Sequence, residues 1–105
     1  MAAVEGIYTC HATLSSTTAD TVTLTADNLR GVEVLNRSGA TTVYFTVGYG
    51  TAAPATAVAA ADETYAVPAG QSLYVPLAGP GGFIASASTV LSVVGDGNAY
   101  SVHGV

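Results

Sequence analysis

Cys10 and His11 stand side by side, and a thiol beside an imidazole is the pairing that makes a nucleophile and its base. Neighbours on a strand point to opposite faces, so here the two side chains part. The expected roles are a small buried thiol and an exposed imidazole. His103 is the other histidine, at the far end of the chain. Pairing of the terminal strands would allow the two imidazoles to meet, yet a metal site wants three or four ligands and the acids would have to come from distant loops. Asp96-Gly97-Asn98 has the start of a calcium loop, but Ala99, Tyr100 and Ser101 follow with no closing acid, so it reads as a turn. Asn36-Arg37-Ser38 matches a glycosylation sequon without an accompanying export signal and is discounted. The glycine run Gly79 to Gly82 lacks the Lys-Ser/Thr of a phosphate loop, and no serine sits in a Gly-x-Ser-x-Gly elbow. The sequence therefore predicts no catalytic residue, no metal site and no cofactor, and a protein that is not an enzyme.

What remains is chemistry of contact. Tyr8, Tyr44, Tyr49, Tyr65, Tyr74 and Tyr100 are spread over the chain, and tryptophan is absent. Tyr44 and Tyr74 fall on the faces opposite the main apolar sets and are the candidates for exposure. A row of such rings stacks on sugars or packs at subunit contacts, where tyrosine is enriched; the second use is favoured. Arg30 and Arg37 are the whole basic complement, since lysine is absent. Arg37 shares a strand face with Glu33, which predicts a weak surface pair. Either arginine is also a candidate to bind a carboxylate on a partner. The candidate interaction residues are thus Arg30, Arg37, Tyr44 and Tyr74.

These residues sit in a chain of 105, half of it apolar and 9% charged, with net charge −5. The length fits one domain with one core. Two arginines cannot neutralise a run of phosphates, which argues against nucleic acid and against an anionic membrane surface. One cysteine forms no internal disulfide. The start Met-Ala-Ala-Val-Glu-Gly lacks the pattern of a signal peptide, and no apolar run is long enough to span a bilayer, so synthesis in the cytoplasm without export is expected. With so little charge the surface must be largely Thr, Ser, Ala and Gly, which points to cover by copies of itself or by another protein.

The elements that must position all this are strands. Thr21 to Ala26 alternates threonine with Val22, Leu24 and Ala26. In Thr42 to Tyr49, Val43, Phe45, Val47 and Tyr49 fall on one side, with Thr42, Tyr44 and Thr46 on the other. Ser72 to Leu77 points Leu73, Val75 and Leu77 inward, and Pro76 marks that strand as an edge or an end. Similar alternation covers Ile7 to Leu14, Val32 to Asn36, Thr64 to Val67, Val90 to Val94 and Ala99 to Val105. Turns are expected at Ser38-Gly39, Pro68-Ala69-Gly70 and Gly95-Asp96-Gly97-Asn98. Ala52 to Ala61, interrupted by Pro54, and Ala78 to Gly82 read as loops; Phe83 and Ile84 begin a further strand or plug the core. The expected fold is all-β, one antiparallel β-sandwich domain over residues 1–105 with about eight strands, jelly-roll-like or immunoglobulin-like. Residues 1–10 are a candidate N-terminal arm.

Three stretches carry a resemblance: "VEVLNRSGATTVYFTVGYG" (Val32 to Gly50), "ETYAVPAGQSLYVPL" (Glu63 to Leu77) and "VLSVVGDGNAYSVHGV" (Val90 to Val105). Over roughly the C-terminal two-thirds, the chain resembles small structural proteins of tailed actinobacteriophages. The resemblance implies a virion component, foremost a head decoration (capsid accessory) protein on the outside of the major capsid lattice, its partner the major capsid protein. Such proteins are often trimeric, so a homo-oligomer, with a trimer favoured, is implied. A tail or head-fibre component, or a carbohydrate-binding module, is the alternative. Lysine is one of the usual guards of sheet edges, and a chain without it either hides its edges with loops and proline or uses them for assembly.

Overall fold

Alternation of apolar with hydroxyl-bearing residues gives each strand one face for the core and one for the outside. In the computed structural model, which describes residues 3–14, 18–26, 29–48, 57, 64–76 and 89–105, nine strands form. They are β1 (Ala3–Gly6), β2 (Thr9–Thr13), β3 (Asp20–Leu24), β4 (Gly31–Asn36), β5 (Val43–Gly48), β6 (Tyr65–Val67), β7 (Ser72–Pro76), β8 (Thr89–Val94) and β9 (Ala99–Gly104). The expectations for Tyr49, Leu77, the Ala52–Ala61 loop apart from Ala57, the Ala78–Gly82 loop, Phe83 and Ile84 lie outside the described residues.

Two sheets face each other, one in the order β1-β3-β8-β5-β6 and one in the order β2-β9-β4-β7. Apart from the parallel β1–β3 pair, every pairing is antiparallel. From β2 on, the chain repeatedly crosses between the sheets and builds 2-9-4-7 over 3-8-5-6, the strand order of a jelly roll. That decides between the two orders that alternation alone leaves open. Residues 3–6, within the candidate arm, lie in the sheet: Ala3 to Gly6 pair with Thr21 to Leu24.

The inward residues meet in one core. Val22, Leu24, Val43, Phe45, Val67, Leu91 and Val93 come from the five-stranded sheet. Cys10, Val32, Val34, Val75, Tyr100 and Val102 come from the four-stranded one, and Leu14 and Leu29 close the ends. Two polar groups are built into this interior. The Tyr100 hydroxyl, on β9, donates to Asp20 Oδ2 on β3 at 2.9 Å, tying one sheet to the other. Burial foremost, then the Asp20 carboxylate, pushes the Tyr100 phenol far above its usual range. At the loop end, Asn36 and Asn98, both fully buried, clamp three connections. The Asn36 amide donates to Thr41 O at 2.7 Å and Val67 O at 3.0 Å. The Asn98 amide donates to Thr41 O at 3.0 Å, and its Oδ1 accepts from the Asp96 N–H at 2.9 Å. The sequon asparagine is therefore an interior clamp with its amide engaged.

Turn chemistry follows the expected positions. Gln71 N–H donates to Pro68 O at 3.0 Å around Gly70, whose φ of 71° is what a type II turn demands at that position. Gly97 repeats that φ in the β8–β9 turn.

One outer face differs from expectation. Thr46 and Ser92, on the outside of the five-stranded sheet, are buried. Ala57 lies over them and its N–H donates to Ser92 Oγ at 2.9 Å, with Ala19, Val94 and Tyr44 packed around it. This polar face is thus partly roofed by the chain itself.

Candidate functional site: the outer face of the four-stranded sheet

The register of β2, β9, β4 and β7 sets side chains in rows across this sheet. One row runs Thr9, His103, Glu33, Tyr74; the next runs His11, Ser101, Leu35, Ser72. Both histidines therefore share one face, on adjacent strands, but they do not stand opposite each other. Each takes a hydroxyl from the strand alongside: Thr9 Oγ1 and His103 Nδ1 share a hydrogen bond of 2.8 Å, and Ser101 Oγ and His11 Nδ1 share one of 2.6 Å. These two pairs were invisible to sequence spacing, because they depend on which residues of β2 and β9 stand opposite.

A serine beside an imidazole invites comparison with a nucleophile and its base. A working site also needs a third group to orient the imidazole and donors aimed at a developing oxyanion. Here His11 stands on a flat sheet face, and no described acid stands across from it in the register. Among the described residues no group of three or more His, Cys, Asp or Glu is placed to hold a metal ion. Cys10 faces the core while His11 faces outward, so the two do not act together. Burial foremost, then Glu5, raises the Cys10 thiol above its usual range.

The four candidate interaction residues separate. Tyr44 is half-buried on the outside of the five-stranded sheet, against Ala19, Ala57 and Val94. Tyr74 is exposed on the outside of the other sheet, so the two rings share no row. The phenol end of Tyr74 lies over Gly31, where any Cβ would collide with it. Arg37 does not serve Glu33. Its guanidinium reaches across the sheet and donates to Tyr100 O at 3.1 Å and to Ala12 O at 3.4 Å. Arg30 is exposed at the opposite end, its N–H donating to Val105 O at 2.7 Å.

That end carries a feature the sequence did not single out. Gly104 N–H donates to Tyr8 O at 2.7 Å and Val105 N–H to Gly31 O at 3.0 Å, which brings Ile7, Tyr8, Val105 and the ring of Tyr74 to one rim. These are four of the six large apolar or aromatic side chains exposed among the described residues, at 65%, 58%, 56% and 47%. Exposed apolar residues scattered singly need no explanation, but these four gather at one end of the sheet, which makes that end a candidate contact surface.

The class defined by fold and site is a jelly-roll β-sandwich whose candidate site is a surface, with no cleft described. No known family model and no curated protein matches the chain. Solved structures share the fold. PliG, a periplasmic inhibitor of g-type lysozyme from Aeromonas hydrophila, matches with a TM-score of 0.59 at 14% identity, over 99% of this chain and 96% of that one. PirA matches with a TM-score of 0.52 at 11% identity, over 93% and 94%. The pre-peptidase C-terminal domain of a Bacillus anthracis collagenase gives 0.43 at 11% identity, over 100% and 95%. At such identities the first two likenesses speak for the β-sandwich and for nothing beyond it.

Proposed function

We propose that this chain is a virion structural protein that binds the outside of a major capsid lattice as a cement subunit, acting as a homo-oligomer. The observation that carries the reading is the rim of Ile7, Tyr8, Tyr74 and Val105 on a molecule without lysine. Such a rim is shaped to be covered. Apolar contact at about 25 cal/mol per Å² is modest for one subunit, but repetition over a lattice holds each joint through many such contacts. The resemblance of Val32 to Gly50, Glu63 to Leu77 and Val90 to Val105 to actinobacteriophage structural proteins supplies the kind of lattice. Mass spectrometry of purified virions with immunogold labelling tests this: gold on heads is expected, and absence of the chain from virions overturns it.

The row Tyr74–Glu33–His103 favours a second reading, a fibre or carbohydrate-binding module, since it sets an exposed ring beside groups that hydrogen-bond sugar hydroxyls. A glycan array decides it: binding lost in Tyr74→Ala supports this reading, and silence from the folded protein removes it.

A further inference from the structure

Among the described residues the two sheets end in four edge strands, and three of them are guarded. In β7, Asn36 N–H donates to Gln71 O at 2.9 Å. Stepping by two along the register, Leu73 and Val75 also bond inward, so Ser72, Tyr74 and Pro76 turn their main chain outward. Pro76 has no N–H to offer there, which closes that edge. The edge β6 is three residues long, and β1 is four residues long with the exposed acid Glu5 on it.

The fourth edge, β2, has none of these guards. Leu14 N–H donates to Asn98 O at 2.8 Å and Gly104 N–H to Tyr8 O, so the even-numbered residues of β2 bond to β9. Thr9, His11 and Thr13 accordingly direct N–H and C=O away from the sheet. The Thr9 carbonyl packs against Gly6. The main-chain groups of His11 and Thr13 make none of the bonds found outside the ladders among the described residues. The strand Thr-Cys-His-Ala-Thr holds no acid, lysine, arginine or proline.

We infer that β2 is the pairing edge for a second copy of this chain. Laid antiparallel, His11 of one copy stands opposite Thr13 of the other, and the reverse, about a two-fold axis at Ala12. Each pair exchanges two main-chain bonds, which doubles the four-stranded sheet into one continuous sheet. The segment suits itself. Ala12, small and half-buried, meets Ala12 at the axis, and each His11 meets the hydroxyl of a Thr13, so no like residues with charge stand opposed on the outer face. This inference goes beyond the capsid reading and puts a two-fold unit where the resemblance implies a trimer.

Light scattering on the full chain, from micromolar to millimolar concentration, tests it with two variants. Thr13→Pro removes an outward N–H while leaving the β2–β9 ladder whole. Thr13→Lys keeps the main chain and adds the missing charge guard. The expected result is a dimer of the parent chain and, in Thr13→Pro, self-association weakened roughly 30-fold by two lost bonds per dimer. Thr13→Lys weakens it in the same direction, and far-UV circular dichroism stays unchanged. A parent chain that stays monomeric or forms a trimer overturns the inference, as does a dimer that Thr13→Lys leaves untouched. If Thr13→Pro fails to fold, Thr13→Lys alone decides.

Discussion

Removing the hydroxyl that joins the sheets, in Tyr100→Phe, isolates one bond. The ring is fully buried and phenylalanine keeps its volume, so no cavity term enters. What is lost is a 2.9 Å donation to a carboxylate, and hydrogen bonds to charged groups contribute about 1.5–3 kcal/mol. Asp20 makes a further interaction of its own, which places the loss near the lower end, about 1.5–2 kcal/mol. For 105 residues the unfolding entropy is about 0.22 kcal/mol/K, so the melting temperature should fall by about 7–9 °C. A second signature lies at high pH. The folded phenol holds its proton well past the unfolded value, so its contribution is fully present below about pH 10. It declines above that by up to about 1.4 kcal/mol per pH unit, as the unfolded chain ionises and the folded one does not. Urea titrations from neutral pH to pH 12 read both effects in parent and variant. A variant within about 0.5 kcal/mol of the parent, with the same alkaline slope, would refute the reasoning.

Other outcomes follow from the same geometry. Asn98→Ala strips a fully buried side chain that serves Thr41 O and the Asp96 N–H, and should cost about 2–4 kcal/mol in chemical unfolding. Cys10 is buried with its thiol raised, so a thiol reagent at mildly alkaline pH should label the folded chain far more slowly than the urea-unfolded chain. Gly31→Ala pushes against the far end of an exposed ring that is able to turn away. It should cost under about 1 kcal/mol and alter tyrosine fluorescence more than stability.

How much of this was legible before the structure depends on distance along the chain. Strand positions follow from alternation, a local property, and Pro76 announced an edge because its missing N–H is tolerated where no neighbour needs it. Parity even marked the interior polar groups: Asp20 is in phase with Val22 and Leu24, Asn36 with Val32 and Val34, Tyr100 with Val102. Their partners were not legible, since Asp20 and Tyr100 lie 80 residues apart. The jelly-roll order, the shared face of His11 and His103 and the apolar rim all arise from register between distant strands. The strand β1 escaped because Ala-Val-Glu-Gly is short and pairs in parallel with β3. Arg37 was paired with Glu33 because both fall on one strand face, while its long side chain finds the carbonyls of Tyr100 and Ala12 across the sheet.

The central claim of the proposed function, attachment through surface alone, is met most directly by sedimentation with empty heads assembled from an actinobacteriophage major capsid protein. The account predicts saturable co-sedimentation at a fixed ratio to capsid subunits, heads that melt at higher temperature when decorated, and weakened binding when Ile7 and Tyr8 are replaced by serine. A folded chain that stays in the supernatant at every excess over the heads contradicts it.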